Sequence, residues 1–314
     1  MTKKATKLPI TVRHYFRKSL MRIMRQDLLA AGYPKSSIHA DELTYQYLVL
    51  RHRLIRAKPR TILYSNRFVR PTNPDLLAGL EEIEDKIYKG GNINPYLSNT
   101  IEDINFFDGM LYDWGINHFH MGHAKEGDKR SGRTGDLIYA YVTDNTVYFI
   151  IIAGHRQWEN KELLDIIALN WSNLAAKFEL EGKVLTPNWT ETDIRKMRKG
   201  GINVTHNLAC GKSLVPMGMG VTTNGKSIFA AIGVTDINRW LKQLERQAKS
   251  VAILDYKVFK AMGVPEDMLP TKYKYMFQRT SDECICIIQY VDDDSIGEIL
   301  DCYEFMTPKK MIYG

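Results

Sequence analysis

The chain has few cysteines, four in 314 residues, and none of them forms a CxxC pair or a zinc-knuckle spacing. A CxxC redox centre and a cysteine-rich metal fold are therefore not expected. Cys284 and Cys286 share one face of a strand, and with Cys210 and Cys302 they read as buried free thiols of a reducing compartment. Uninterrupted apolar runs are also missing. The longest, VYFIIIA at 147–153, is strand-sized and far short of the roughly 20 residues that cross a bilayer. The N-terminal MTKKATKLPI is basic but is followed by no signal-peptide core, so cytoplasmic residence and no membrane partner are expected. There is no HExxH, no internal repeat and no low-complexity tract. The five tryptophans are scattered rather than interleaved with basic residues, which fits packing better than a base-stacking platform.

Charge is plentiful and unevenly placed. Residues 1–70 hold 16 Lys/Arg against 3 Asp/Glu, while the remainder holds 27 against 33. An anionic partner at that end is the physical implication, nucleic acid being the first candidate and RNA favoured over DNA. A regulatory protein or nucleic acid is a further possible partner. Arg13, Arg17, Arg22 and Arg25 lie along a helix expected from Val12 to Ala31, whose apolar positions Phe16, Leu20, Ile23 and Met24 recur at helical spacing. Helices are also expected over 37–56, ended by Pro59, and over 74–89, closed by two glycines.

Composition changes after Gly91. Strands 137–142 and 147–153 flank TDNT as a hairpin, and 161–178 reads as a helix packed on that sheet. Asn224–Gly225 suits a type I′ hairpin between MGMGVTT and KSIFAAI. NRWLKQLERQAK is helical, and CICIIQYV and EILDCYEFM form a closing hairpin around DDDSIG, whose acids fit an exposed turn. The expected fold is α+β. A basic helical region (1–90, a possible nucleic-acid-binding region) precedes small antiparallel sheets with packed helices (91–200 and 201–314).

NHFHMGH at 117–123 carries three of the eight histidines, and His155 lies within the same 38-residue window. On a strand His118 and His120 share a face, while His123 and His155 each come just after a glycine where the chain can turn. Two chemistries fit. A divalent metal could take His118, His120 and His123 or His155, with Asp136 or Asp113 as carboxylate, giving a metal-dependent nuclease or phosphoesterase. Acid–base cleavage of RNA needs no metal or other cofactor, because the 2′-hydroxyl is already the nucleophile and histidine titrates near the working pH. That second reading is preferred. His120 is the expected general base and His155 the acid, while His118 orients the substrate. Arg133 is the phosphate clamp and Tyr139 an auxiliary hydroxyl. The intervening AKEGDKRSGRTGD adds Lys125, Lys129 and Arg130 as nucleic-acid contacts. A ribonuclease-like enzyme of this kind suits a toxin or defence effector. A non-enzymatic nucleic-acid or protein interaction module is the competing class.

GMGVTTNGKS also satisfies the phosphate-loop pattern at Gly220, Gly225, Lys226 and Ser227. A nucleotide hydrolase would need a buried strand before it and a helix after it. Pro216 is awkward in such a strand, and SIFAAIG looks too short for the helix. Ser213 lacks a nucleophile-elbow context, and Cys210 has His206 only as a sequence neighbour.

Overall fold

A computed structural model describes residues 8–124, 130–155, 157, 159–181, 187, 189–292, 297–305 and 307–313. The fold is α+β, as expected. Its contacts divide the chain into two compact units, residues 1–30 with 234–310, and residues 31–233 with 311–314. The breaks between these units fall after Ala30, Gly233 and Lys310. Among the described residues no helix is long and apolar enough to cross a membrane.

The first unit is built on a four-stranded sheet in the order Thr11–His14, Lys272–Arg279, Cys284–Val291, Glu298–Glu304. The first pair is parallel, with Thr11 opposite Lys272, and the others are antiparallel. KYKYMFQR alternates with period two: Tyr273, Tyr275 and Phe277 are buried, while Lys272, Lys274 and Gln278 are exposed. Helix Phe16–Ala30 lays Phe16, Leu20, Ile23, Met24 and Leu28 into the core. The Phe16 ring stands 5.5 Å from that of Phe277. On the same face Trp240 stacks on Phe277 at 5.2 Å. The helix expected from Val12 therefore begins four residues late. Thr11–His14 gains a parallel partner from more than 250 residues away, and that pairing overrides local helical spacing.

The second unit carries a sheet in the order Thr61–Tyr64, Thr146–Gly154, Asp136–Val142, Ile116–His120. Thr61–Tyr64 pairs in parallel, and the other two pairings are antiparallel. Trp114, Ile116, Leu137, Tyr139, Ile150 and Ile167 are core residues here. Helix Pro74–Lys89 matches its expected bounds. Asn73 caps its first turn, Pro74 opens it and Gly90 ends it at φ +77°. The other helices depart from expectation. The second runs only Leu43–Arg53, and 161–178 breaks at Trp171 into Glu162–Asn170 and Ser172–Ala175. The hairpin expected around Asn224–Gly225 shrinks to one bridge, Val221 with Ser227. A 34-residue helix, Ile228–Ala261, starts directly after that bridge and absorbs both SIFAAIG and NRWLKQLERQAK.

The closing hairpin forms as expected, but its cysteines are not all free. Cys286 and Cys302 lie opposite one another in the register and are joined as a disulfide. Cys210 and Cys284 are free thiols, and Cys210 is exposed rather than buried. The expectation of four free thiols fails for Cys286 and Cys302 because strand register, which sequence spacing does not report, sets these two sulfurs opposite each other. Alkylation of the denatured chain without reductant is expected to label Cys210 and Cys284 alone. Prior reduction should raise the adduct count on intact mass from two to four. Four adducts without reductant would show that the cross-strand bond does not form.

Candidate active site at the histidine end of the sheet

Three strand ends meet at one edge of the second unit. The antiparallel register sets His120 opposite Leu137, His118 opposite Tyr139, and Asp136 opposite Gly154. Asp136 begins the middle strand where Ile116–His120 and Thr146–Gly154 both end, so His155 emerges beside His120. The His120 and His155 ring centroids are 5.6 Å apart, and those of His118 and His120 are 6.3 Å apart. The convergence read from the sequence holds for these three histidines.

Thr134, which nothing in the sequence pattern singles out, joins them. Its backbone N–H donates to His120 Nδ1 at 3.3 Å, and its carbonyl lies 3.3 Å from His155 Nε2. Its hydroxyl accepts from Met121 N at 3.1 Å and donates to the Asp136 carbonyl at 2.6 Å. These contacts assign tautomers. His120 Nδ1 faces a donor, so the neutral ring carries its proton on Nε2. That Nε2 is buried and has no hydrogen-bond partner among the described residues. His155 Nε2 faces a carbonyl, so it carries the proton and leaves the Nδ1 lone pair available on an exposed residue.

Electrostatics hold the inner rings neutral. Burial, reinforced by Arg133 and His155, lowers the His120 pKa to about 4. Burial together with His120, Arg133 and His155 takes His118 to about 3. Desolvation penalises the imidazolium, and a guanidinium that does not titrate adds to the penalty. Arg133 is exposed, and its guanidinium donates to the Leu97 carbonyl at 3.4 Å. Tyr139 is buried and donates its hydroxyl to the Gly154 carbonyl at 3.1 Å, and burial pushes its phenol up to about 12. It therefore anchors the residue before His155.

The remaining candidates separate from this group. His123 turns to Glu82 at 3.2 Å. Arg130 is largely covered and pairs with Glu102 at 3.5 Å. Lys125 and Lys129 lie outside the described residues. Asp113 is buried elsewhere in the unit, 2.8 Å from Arg198 Nε and 3.4 Å from His206 Nε2. Burial pushes its carboxyl up, but His206 and Arg198 outweigh that and hold it below the usual range. Of the proposed metal set, His118, His120 and His155 come together, whereas His123 and Asp113 lie apart from them. Among the described residues no three His, Cys, Asp or Glu side chains are arranged to hold an ion.

The Gly220–Ser227 loop has the C-terminal helix it was expected to lack, but its donors are spent internally. Thr222 N donates to Lys226 O at 2.7 Å, Gly225 N to Thr222 O at 2.8 Å, and Ser227 N to Tyr45 Oη at 2.8 Å. Lys226 is ion-paired with Glu42, and its ammonium lies 4.9 Å from the Tyr45 ring centroid. A phosphate here would have to compete with these bonds for the amides of Thr222, Gly225 and Ser227. Of the arginines proposed to contact nucleic acid, Arg17 donates to Asn238 at 2.8 Å, and Arg13 and Arg22 are exposed in the first unit.

A cavity of about 290 Å³ opens beside His118, with Phe106, Phe107, Glu159, Arg195 and Lys199 in its wall. Arg195 is bidentate to Glu159, at 3.1 and 3.0 Å. Neither Lys199 nor Phe107 was singled out from sequence, because the cavity assembles segments about 90 residues apart. No family model matches this chain, and no curated protein or solved structure matches it.

Two measurements test this geometry. At Gly79 of helix Pro74–Lys89 an added Cβ would sit 1.7 Å from the Met121 carbonyl oxygen. Gly79→Ala is therefore expected to cost about 1–3 kcal/mol in chemical denaturation and to displace the chain just after His120. A wild-type midpoint would contradict this close approach. The second measurement concerns pH. His118 and His120 titrate near 6.5 when unfolded but only at about 3 and 4 when folded. The unfolded chain therefore binds more protons below pH 6.5, and stability should fall as pH drops from 6.5 toward 4. His52, lowered to about 4 by burial, adds to the same slope. Urea midpoints from pH 7 to 4.5 should flatten by roughly one proton per replaced ring in His118→Asn and His120→Gln. An unchanged slope would mean these rings are not held neutral.

Proposed function

We propose that the second unit cleaves RNA without an obligatory metal, by attack of the 2′-hydroxyl on the adjacent phosphodiester. The observation that carries this reading is the Thr134 peptide between two imidazoles 5.6 Å apart. It leaves one ring presenting an N–H and the other a lone pair, the two functions that transphosphorylation needs side by side. The base role expected of His120 passes to His155, which keeps the acid role as well, and His120 becomes a hydrogen-bond donor. His155 Nδ1 takes the 2′-hydroxyl proton as the O2′–P bond forms. His120 Nε2–H, on a ring whose pKa is about 4, donates a hydrogen bond to a non-bridging oxygen as a neutral electrophile, and Arg133 balances the charge building there. The P–O5′ bond breaks, and the 5′-alkoxide regains the proton from His155 through solvent. A 2′,3′-cyclic phosphate and a 5′-hydroxyl result. The cavity beside His118, walled by two phenylalanines and Lys199, suits a base and its flanking phosphate.

The test incubates purified protein with RNA, matched DNA and ATP, with and without chelator. RNA cleavage to cyclic-phosphate ends should persist in chelator, DNA should stay intact, and His155→Ala should lose on the order of 10²-fold or more in rate. His120→Gln, which keeps an N–H at the Nε2 position, should retain more activity than His120→Ala. Activity lost to chelator and restored by a divalent ion would favour a metal nuclease. ATP hydrolysis dependent on Lys226 would favour the phosphate loop, and intact RNA throughout would favour the interaction module.

A further inference from the structure

The sheet of the first unit has one face covered by helices and another that carries a basic, aromatic groove. Helix Phe16–Ala30 and Trp240 cover the face bearing Phe277. On the opposite side of the pleat Thr11 pairs with Lys272, Arg13 with Lys274, and Lys274 with Tyr290. Strand alternation therefore sets Arg13, Lys274 and Tyr290 in one row across three adjacent strands. With Tyr15 and Lys272 they wall a groove of about 290 Å³. Its described lining contains three cationic side chains and no carboxylate. The nearby Asp292 accepts from the backbone N–H groups of Thr271 and Lys272 through Oδ1, at 2.9 and 2.8 Å, and is the acidic neighbour at the Lys272 end.

We infer that this groove is a docking surface for single-stranded RNA. The choice of RNA over DNA rests on the proposed cleavage reaction, whereas the groove itself rests on its own charge and rings. A folded protein partner would find few apolar anchors in a groove lined by cations and phenols. A single strand offers a phosphate for each cation and a π-face for each ring. Lys274 Nζ stands 5.0 Å from the Tyr290 centroid, which puts platform and counter-charge side by side. A base stacking on Tyr290 would displace the flexible ammonium toward the phosphate that flanks it. A duplex, with its bases already stacked, could use only the charge.

The experiment measures fluorescence anisotropy of a labelled single-stranded RNA of about a dozen nucleotides. It is added to full-length His155→Ala protein across a salt series, and a gel confirms that the RNA stays intact. Lys274→Ala should weaken binding several-fold and reduce the log–log salt slope by about 0.7, whereas Lys274→Arg should keep both. Tyr290→Leu should weaken binding roughly 5- to 100-fold and leave the slope unchanged. Each variant's melting temperature is checked against the parent. Wild-type affinity in both Lys274→Ala and Tyr290→Leu would overturn the inference, as would equal affinity for the matched duplex. Binding abolished by Arg22→Glu with Arg25→Glu but untouched by Lys274→Ala would place the surface on the helix instead. Equal affinity for single-stranded DNA would overturn the RNA assignment. Because the readout is binding, it stands whether or not the histidine end cleaves, so the two readings fail separately.

Discussion

The register of three antiparallel strands is the constraint on which the candidate site depends. Side chains alternate with period two, so a slip of one residue would send His118 and His120 to the other face of the sheet. Several local features hold the register. Gly115 ends helix Gly109–Trp114 at φ +69°, and the strand begins at the next residue. Gly79 lets a helix backbone approach the Met121 carbonyl just beyond His120. The hydroxyl of Thr134 ties Met121 to Asp136. The Thr134 peptide then converts strand register into chemistry, because its N–H and C=O impose opposite tautomers on the two rings they meet.

The charge state is set by competition for one small volume. Arginine does not give up its proton there, so the imidazoles yield theirs, and both inner rings are held neutral. A phosphodiester entering between them would bring the opposite sign. It would offset the Arg133 charge that presses on the inner rings. His123 stands apart from this group, exposed and 3.2 Å from Glu82. Four histidines close in sequence thus divide by environment into three that converge and one that serves a local ion pair.

Much of this was legible from short-range pattern. The alternating and continuous apolar runs at 137–153 gave their hairpin, and Asn73, Pro74 and Gly90 marked a helix at both ends. The histidine convergence was legible because two rings shared a strand face and another came just after a strand-ending glycine. The failures share a physical cause, which is long-range pairing. Nothing local in TVRH announces a parallel partner at residues 272–275, and nothing near Cys286 names Cys302 over Cys284. Thr134 looked like one polar residue in a glycine-rich loop, and its value lies in backbone atoms that no side-chain pattern reports. The phosphate-loop imitation failed for a related reason. Its glycines do adopt positive φ, at Gly220 and Gly225, but they serve a tight turn in which the Thr222, Gly225, Lys226 and Ser227 amides are already bonded.

The charge excess of the first 70 residues invites a picture of one basic arm, and the fold dismantles it. The division at Ala30 sends Arg13, Arg17, Arg22 and Arg25 to one unit and the basic residues from Lys35 to Arg70 to another. Within the second unit much of that charge is spent on structure. Arg53 donates to the Asp103 carbonyl, Arg60 to the Thr143 carbonyl, and Arg70 forms a bidentate pair with Glu84. Within the first unit Arg13 gains Lys272 and Lys274 as neighbours, from a segment whose sequence surroundings are not conspicuously basic. A field strong enough to steer an anion depends on charges that share a face, not on charges that share a stretch of sequence. The grouping of Arg13 with Lys272 and Lys274 is therefore a product of the parallel strand pairing, the same long-range contact that displaced the start of the first helix.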